Sequence, residues 1–520
     1  MRTCLPAVLF FLFISVSVFA GGTTYYVAPP AAGGSNANDG SPGSPWATLQ
    51  HAANQVAAGD TVVTAPGIYA GFNVVSSGLQ NSPITFRGQS GAVIDTAAAY
   101  YNGNHRSRIN IDSQSWIIIE GFEVVGSNDQ RTSKEGIRCV ASPGTDYGHI
   151  TIRLCHVHHN GDRNIFTGHY NHLIIHHNVI HHAHDEHGIY ISNSGDHHQV
   201  FSNTVYSNSG CALHVNSDES QGGDGLIIDV AVGENIMHGN GGGGSYIDPS
   251  GNPQISPGGG SAINFDSVQQ SRIQNNLLYN NHASGISLYR GDGALPSSGN
   301  VVVNNTIHQA ADGRWAINIS DAATGNTLFN NILLNDHSFR GSLIITSDSL
   351  PGLASDSNIV MDRFNVDDGS NITLAQWRAL TGQDRSSIAL APAQWPTLFT
   401  DLAGDDYHLA PESIARDIGA PQLAGDSAPS YDIEGLPRPL FIGFDIGAYE
   451  FPFPDLPCPG DYSGDGDTNS ADITTYLAAW FADLQNGTTL ADMNSDQVTT
   501  SADITAFLAQ WFMGIAIPAC

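Results

Sequence analysis

The segment NVIHHAHDEHGIYIS, residues 178–192, contains the two elements that recur through the middle of this chain. It opens with an Asn followed by an apolar pair, and it ends in a short strand in which apolar and polar residues alternate. Because Asn tolerates the backbone of a tight corner and can pair with an Asn one coil away, a period of mostly 25 to 32 residues predicts stacked β-helix coils. The Asn-plus-apolar-pair element begins at Asn178, Asn203, Asn235, Asn276, Asn305 and Asn331. We interpret this Asn ladder as structural, not catalytic.

A second strand follows in each copy, and Gly188–Ile191 is one example. With a period of two, its aliphatic positions point into the coil and the alternate positions point outward. The first predicted outward column is Arg138, Phe166, Tyr190, His214, Asn264, Ser287 and Asn318. The second, two residues later, is Val140, Gly168, Ser192, Asn216, Asp266, Tyr289 and Ser320. A face this polar and aromatic suits a polysaccharide, and it is also what a solvated sheet face looks like.

Composition limits the possible partners. The chain has 520 residues and a formal net charge of −31, so it should repel nucleic acid and anionic lipid and attract divalent cations. Residues 1–20 are typical of a secretory signal, with Arg2 at its start, and no later apolar run is long enough to span a membrane. We therefore expect a secreted, extracellular protein.

Export permits disulfides among the five cysteines that follow the signal. Cys458 and Cys520 bracket the last segment, and we expect them to be bridged. Cys139, Cys155 and Cys211 are an odd set within repeat positions, which favours buried free thiols over a reactive role.

The two ends of the repeat region carry further signals. Residues 44–53 predict a short helix, residues 59–63 and 83–86 predict strands, and the Gly-rich insert at 239–260 is interpreted as a loop. This opening, with its Gly59-Asp60-Thr61-Val62 segment, resembles the cap of secreted right-handed parallel β-helix proteins, which include pectate, alginate and chondroitin lyases. Residues 444–451 resemble their closing segment. The resemblance implies an all-β, right-handed parallel β-helix (solenoid) over residues 21–451, and a Pro-rich linker follows at 452–457.

The last segment contains two matched 12-residue loops, 31 residues apart, each followed by a predicted amphipathic helix. Their oxygen-bearing positions have the spacing of calcium ligands. The candidate calcium ligands are Asp461, Ser463, Asp465, Asp467 and Asp472 in the first loop and Asp492, Asn494, Asp496, Val498 and Asp503 in the second. Gln497 replaces the usual Gly of the turn, so weaker binding is expected in the second loop.

Paired loops of this kind, with Asp at position 12, resemble the dockerin family over about residues 457–520. The resemblance implies a small all-α calcium-binding domain at 458–520 that plugs a secreted enzyme into a cohesin-like partner. By the same resemblance, Ser470-Ala471 and Ser501-Ala502 lie where dockerins carry partner-recognition residues.

Ionisable residues concentrate in the repeats, since 14 of the 22 histidines lie between His149 and His198. Alternating pairs such as His156 and His158 can meet a transition metal from one strand face, although repeat corners that favour His are the commoner explanation. His184, Asp185, Glu186 and His187 lead into the strand that bears Tyr190, with His214 one coil along in the same column.

Three functions remain open. In a polyuronate lyase, His187 or His214 is the base, Tyr190 the acid, and Arg138 or Arg290 the partner of the sugar carboxylate. Lys134, the only lysine, precedes Arg138 and suits the Lys/Arg pattern of β-helix lyases. A glycoside hydrolase would use two carboxylates among Asp185, Glu186, Asp218 and Asp266, and a non-catalytic sugar-binding β-helix is the third possibility. The candidate substrate-binding residues are Asn264, Asp266 and Tyr289.

Overall fold

A computed structural model describes residues 21–99, 106–440, 443–451, 458–464, 467–494 and 498–515. The predicted signal segment and the predicted linker lie outside the described residues. No helix among these residues is both long and apolar enough to cross a membrane.

Three parallel sheets form a solenoid, because successive strands of each sheet come from successive coils. Sheet A consists of Thr24–Val27, Thr61–Thr64, Ile84–Gly88, Ile117–Glu120, Gly148–Arg153, Asn171–His176, His198–Phe201, Val230–Gly233, Arg272–Gln274, Val301–Val303, Thr327–Phe329 and Ala354–Asp356. Sheet B consists of Gly67–Ala70, Ala92–Thr96, Glu123–Val125, His156–His158, Val179–His181, Thr204–Tyr206, Ile236–His238, Leu277–Tyr279, Thr306–Gln309, Ile332–Asn335, Ile359–Val360 and Ile388–Ala389. Sheet C consists of Phe72–Val74, Ile109–Asp112, Glu135–Val140, Arg163–Gly168, Ile189–Ser192, Leu213–Asn216, Ile263–Asp266, Ile286–Tyr289, Ile317–Ile319, Leu343–Ile345 and Phe364–Val366.

The core lies between the sheets and is built from aliphatic residues stacked in register. On sheet C, Ile137, Ile165, Ile189 and Leu213 pair in sequence along the axis, and all four are fully buried. Each buried side chain of this size contributes about 1.5–3 kcal/mol relative to its exposed state. The inward half of the predicted alternation is therefore confirmed on this sheet, whereas several residues of the predicted outward columns, among them Ser192, Asn216 and Asn264, are also buried.

The Asn ladder is confirmed as a row of side-chain hydrogen bonds. The amide nitrogen of Asn178 donates to the side-chain oxygen of Asn203 at 2.9 Å, and that of Asn203 donates to Asn235 at 3.0 Å. The row continues through Asn276, Asn305, Asn331 and Asn358. The left-handed backbone was expected at the ladder Asn itself, but it belongs to the residue before, such as His177 and Ser202 at φ of 55° and 53°.

The remaining elements close the ends and the edges. The first helix, Leu49–Gln55, begins later than predicted because Thr48 is its N-cap and accepts a hydrogen bond from the His51 N–H. A second helix is Leu374–Thr381. The 3₁₀ turns are Pro30–Ala32, Glu219–Gln221, Ser347–Ser349, Pro392–Thr397 and Leu402–Gly404, and short strand pairs are Ile227–Ile228 with Val268–Gln269, Phe399–Asp401 with Asp406–Leu409, and Gln422–Leu423 with Asp426–Ser427.

The Gly-rich insert contains regular structure, so its interpretation as a loop is wrong. Gly244–Ile247 and Pro253–Ser256 form an antiparallel hairpin. Its main chain is hydrogen-bonded to the connection that precedes the sheet C strand Glu135–Val140. The Ile247 N–H donates to the Asn128 carbonyl at 2.8 Å, and the Gln130 N–H donates to the Ile247 carbonyl at 2.9 Å. The hairpin is therefore fixed against the solenoid.

The C-terminal unit has the two predicted helices, Ser470–Asn486 and Ser501–Gly514. Tyr476 and Phe507, which are matched positions of the two repeats, are buried and stack with ring centroids 4.1 Å apart. This contact joins the two halves of a small all-α unit.

Candidate active site on sheet C

The strand register brings the predicted outward residues together in columns. Phe166, Tyr190 and His214 occupy successive strands of sheet C, and Asn264 follows on the next strand. Ser192, Asn216 and Asp266 form the neighbouring column. Neighbouring strands lie about 4.8 Å apart, so a short stretch of an extended glycan can contact several coils at once.

Tyr190 and His214 form the centre of the site. Their rings stack with centroids 4.9 Å apart and an interplanar angle of 11°. The Asn216 amide donates to the Tyr190 hydroxyl at 3.0 Å, and burial raises the pKa of Tyr190, so the phenol is protonated at neutral pH. Tyr190 therefore presents an O–H that can be donated, with its oxygen already held.

The protonation of His187 and His214 follows from one backbone group. The Cys211 N–H donates to Nδ1 of His187 at 3.0 Å, so neutral His187 carries its proton on Nε2. That Nε2 lies 3.1 Å from Nδ1 of His214, which must accept, so neutral His214 carries its proton on its own Nε2. This atom is buried and has no hydrogen-bond partner among the described residues.

Both imidazoles are neutral at pH 7. Burial lowers the pKa of His187 to about 3 and that of His214 well below its usual value, and Arg163 lowers both further. Since neither ring has a free lone pair, the hydrogen-bond directions contradict the base role that the sequence suggested for these two residues. His187 is a positioning residue, and His214 is a donor.

Arg163 is a site residue that the sequence reasoning missed. Its guanidinium pairs with Glu186 at 2.6 Å and with Asp162 at 3.0 Å. It also lies 4.8 Å from the Phe166 ring centroid and 5.2 Å from that of Tyr190. The carboxylates raise its pKa against the effect of burial, so its charge is permanent and already neutralised within the protein.

Carboxylates cluster beside Arg163. One oxygen each from Asp162, Asp185 and Glu186 lies within 4.8 Å of the others. Lys134 reaches the edge of the cluster, 3.6 Å from Asp162 and 3.4 Å from Glu135. Four carboxylates thus face two cations, and Oδ1 of Asp162 is buried with no hydrogen-bond partner among the described residues. The three clustered carboxylates can hold a divalent cation.

Asp185 is the carboxylate that remains open to a ligand, because it is half-buried and has no arginine or lysine partner among the described residues. Gln130 donates to its Oδ2 at 3.0 Å, and Tyr246 of the insert hairpin also donates to it. Burial and the neighbouring acids Asp162 and Glu186 raise its pKa. A carboxylate with a raised pKa is a stronger proton acceptor than an ordinary one.

Several predicted site residues have other partners. Arg138 is buried and donates to Asn110 at 3.0 Å, and the exposed Arg290 donates to the Gly293 carbonyl at 3.1 Å. Neither is therefore placed to bind the carboxylate of a sugar at Tyr190. The Asn264 strand is two coils beyond that of Tyr190. Asn264 donates to the hydroxyl of Tyr289, on the next strand, at 2.9 Å, and this pair remains a candidate substrate contact.

Two of the predicted hydrolase carboxylates are structural. Asp266 is buried and accepts the N–H groups of Gly291 and Asp292 at 2.6 and 3.1 Å. Asp218 caps the turn at Glu219–Gln221 and accepts the Ser220 N–H at 2.8 Å. A two-carboxylate hydrolase is left with Asp185 and Glu186 alone, and Glu186 is paired with Arg163.

Asp465, Asp496 and Gln497 of the two candidate calcium loops lie outside the described residues. Asp472 and Asp503 are fully buried, and each accepts main-chain N–H groups from its own loop. The Thr500 N–H is the largest influence that lowers the pKa of Asp503. Asp461 holds the Gly464 N–H at 2.6 Å. Ser463, Asp467, Asp492, Asn494 and Val498 are in the described parts of the same loops.

The cysteines agree with the sequence where they can be compared. Cys139, Cys155 and Cys211 are buried free thiols, and burial raises the pKa of each to about 12. Cys458 is disulfide-bonded, while its expected partner Cys520 lies outside the described residues.

Comparisons with known proteins support the fold. Residues 188–360 match the family model described as a right handed beta helix region. The solenoid is a right-handed parallel β-helix. The search of curated proteins gave no match.

Several solved structures are similar to this chain to different degrees. The crystal structure of pectate lyase Pel9A is 16% identical, with a TM-score of 0.54, over 83% of this chain and 97% of that one. An alginate lyase from Paenibacillus sp. str. FPU-7 is 16% identical, with a TM-score of 0.42, over 62% and 97%. The mannuronan C-5 epimerase AlgE6 A-module of Azotobacter vinelandii is 14% identical, with a TM-score of 0.39, over 62% and 81%. The likeness to the pectate lyase is one of fold.

Proposed function

We propose that this protein cleaves a uronate-containing polysaccharide by β-elimination on the outer face of sheet C. One observation carries the proposal. Tyr190 of sheet C, whose ring stacks on His214, follows closely in sequence on a half-exposed carboxylate, Asp185, whose pKa is raised. Proton donors thus lie on sheet C, and a proton acceptor lies in the segment that leads into the Tyr190 strand.

Each step of the elimination has a candidate group. Asp185 accepts the proton on the carbon next to the sugar carboxylate, and the Lys134 ammonium offsets the charge of that carboxylate. As the bond to the leaving oxygen breaks, Tyr190 gives that oxygen its proton. The Asn216 amide, which already donates to the Tyr190 oxygen, then stabilises the phenolate. His214 stacks on the Tyr190 ring and holds it in place.

A divalent cation fits the carboxylates of Asp162, Asp185 and Glu186, whose ligand atoms lie within 4.8 Å of one another. The carboxylates of this cluster outnumber the cationic side chains beside them, and Oδ1 of Asp162 has no hydrogen-bond partner among the described residues. When bound, the cation would supply positive charge for the substrate carboxylate. Chelation separates the two versions of the proposal. Activity that survives chelation leaves charge neutralisation to Lys134, and activity that calcium restores assigns it to the cation.

The test is to incubate the purified protein with polygalacturonate, alginate and chondroitin while the absorbance of unsaturated uronate and the reducing ends are both measured. Polygalacturonate comes first because Pel9A is a pectate lyase. We expect both signals to rise together on one substrate. Reducing ends without the absorbance would refute elimination, and neither signal would favour a binding protein.

Variants test the residues. Tyr190→Phe, His214→Gln and Asp185→Asn should each lower kcat by about 10²–10⁴-fold. The matched controls are His238→Gln and Tyr279→Phe on sheet B, where the two rings stack in the same way at 4.7 Å and 12°. Full activity in the sheet C variants, or an equal loss in the controls, would remove this site.

We also propose that residues 458–520 form a calcium-dependent docking module of a secreted protein. The two helices expose Phe481, Leu484 and Phe512, which are 57%, 54% and 60% exposed and available for a cohesin-like partner. A calcium titration by calorimetry and binding to a cohesin with and without EDTA test the module. N-terminal sequencing of the exported protein tests cleavage after Ala20.

A further inference from the structure

A second cluster of ionisable side chains lies on sheet B, away from the proposed elimination site. The strands Glu123–Val125, His156–His158 and Val179–His181 are neighbours, with Glu123 opposite His156 and His158 opposite His181. Because His156 and His158 are two residues apart on one strand, their side chains share a face, and their ring centroids are 4.3 Å apart. Two adjacent coils thus present Glu123, His156 and His158 to one spot, with His181 beside them on the next coil.

The ligand atoms of these side chains lie close together. Nε2 of His156 is 2.8 Å from Nε2 of His181, and Nε2 of His158 is 3.4 Å from Oε1 of Glu123. One ligand atom each from Glu123, His156 and His158 lies within 4.8 Å of the others. Two nitrogens that share one zinc ion, each about 2.0–2.1 Å from it, are separated by about 3 Å. The observed separations have this size.

Other rings surround the proposed ligands. His158 is 9% exposed, and its neighbour His181 is 7% exposed. Further rings from His159 and His182 contact the cluster through Nδ1 atoms at 2.7 and 2.6 Å. Tyr206 stacks on His181 at 4.6 Å and closes the downstream side. The cluster is therefore walled by aromatic rings.

We infer that Glu123, His156 and His158 bind one divalent transition-metal ion and so tie two coils of the solenoid together. Two imidazoles and one carboxylate suit zinc, nickel or copper, whereas calcium prefers all-oxygen sites. The net charge of −31 favours cation binding at any such site. This proposal is independent of the proposed elimination.

The experiment measures zinc bound to the full-length protein by equilibrium dialysis, with excess calcium present to saturate oxygen-only sites. The wild type should retain about one zinc ion per chain, and the double variant His156→Gln/His158→Gln should retain none. Glu123→Gln tests the carboxylate with less disturbance and should weaken binding at least tenfold. The matched control is His172→Gln, in a column where the rings of His149, His172 and His197 stack face to face at 4.5 and 4.8 Å.

Cobalt identifies which cluster is occupied. His187, Cys211 and His214 can also approach one ion, and a thiolate ligand would add a charge-transfer band to the cobalt spectrum. The proposal expects no such band, a raised thermal midpoint of the wild type in zinc, and no zinc-dependent rise in the double variant. No zinc on the wild type, equal zinc on the double variant, or a thiolate band would each overturn it. Circular dichroism of the variants establishes that the solenoid has folded.

Discussion

Replacing Arg163 with Met should destabilise the solenoid through the carboxylates that it leaves behind. The Arg163 side chain is 14% exposed. Among the described residues, no other arginine or lysine pairs with Glu186, whereas Asp162 pairs with both Arg163 and Lys134. Removing one member of a buried ion pair costs about 3–5 kcal/mol, but Glu186 is 35% exposed and Asp162 keeps Lys134, so solvent screening and the second partner reduce the loss. We therefore expect a loss of about 2 kcal/mol in the free energy of unfolding at pH 7.

Arg87→Met is the matched control, because Arg87 also pairs with a glutamate one coil away. Its side chain is 51% exposed, and Glu120 keeps Arg153 as a second partner. An exposed pair contributes about 0–1 kcal/mol, so the control should lose at most about 1 kcal/mol. Urea unfolding followed by circular dichroism measures both variants.

The pH dependence gives a second test of Arg163→Met. Burial already raises the pKa of Asp162, and without the guanidinium that pKa rises further, so the folded variant binds more protons than the unfolded state. The destabilisation should therefore be largest near pH 7 and shrink as the pH falls through the raised pKa of Asp162. A loss below 1 kcal/mol, or one that does not change with pH, would refute this account of the cluster.

Three further predictions concern the ladder, the buried histidines and the terminal loops. Asn276→Ala removes amide bonds to the Val232 and Gln274 carbonyls inside the solenoid and should cost about 3 kcal/mol in urea unfolding. The half-buried Asn171→Ala, which loses one bond from the Asp196 N–H and one to Asp146, should cost about 1 kcal/mol. His198 is fully buried, and burial lowers its pKa to about 3. Below about pH 6.5 the unfolded state therefore binds more protons than the folded state, and the free energy of unfolding should fall as the pH drops from about 6.5 towards 3. The fall should be less steep in His198→Gln. EDTA should reduce the helical circular dichroism of an isolated 458–520 fragment and calcium should restore it, and an unchanged spectrum would contradict the calcium assignment.

The sequence predicted the solenoid because its period and its alternation are local properties that the fold repeats. The columns through Tyr190 and His214 followed from the same two regularities, and the structure has them in the predicted register. Departures arose where the repeat is interrupted. The insert hairpin has little apolar alternation and many glycines, so nothing in its pattern indicated strands.

The chemistry of the site was less predictable, because it depends on contacts between coils. Arg163 lies two residues before the inward-facing Ile165, so the alternation of the strand gave no indication that Arg163 belongs to the outer face. In the structure it pairs with Glu186 from the next coil. The donor role of His214 depends on a backbone N–H of Cys211 that fixes the tautomer of His187. Neither the Arg163–Glu186 pair nor the Cys211–His187 hydrogen bond can be predicted from a local sequence pattern.

The Asn ladder also explains how such a chain can acquire new surface. Its rungs join residues separated by 25, 32, 41, 29, 26 and 27 positions, yet the amide-to-amide distances stay between 2.9 and 3.1 Å. The ladder therefore does not depend on how much chain is inserted between rungs, and the longest interval is the one that contains the hairpin bearing Tyr246. One connection can therefore become longer, by mutation or by design, and change the surface beside sheet C while every coil keeps its place in the stack.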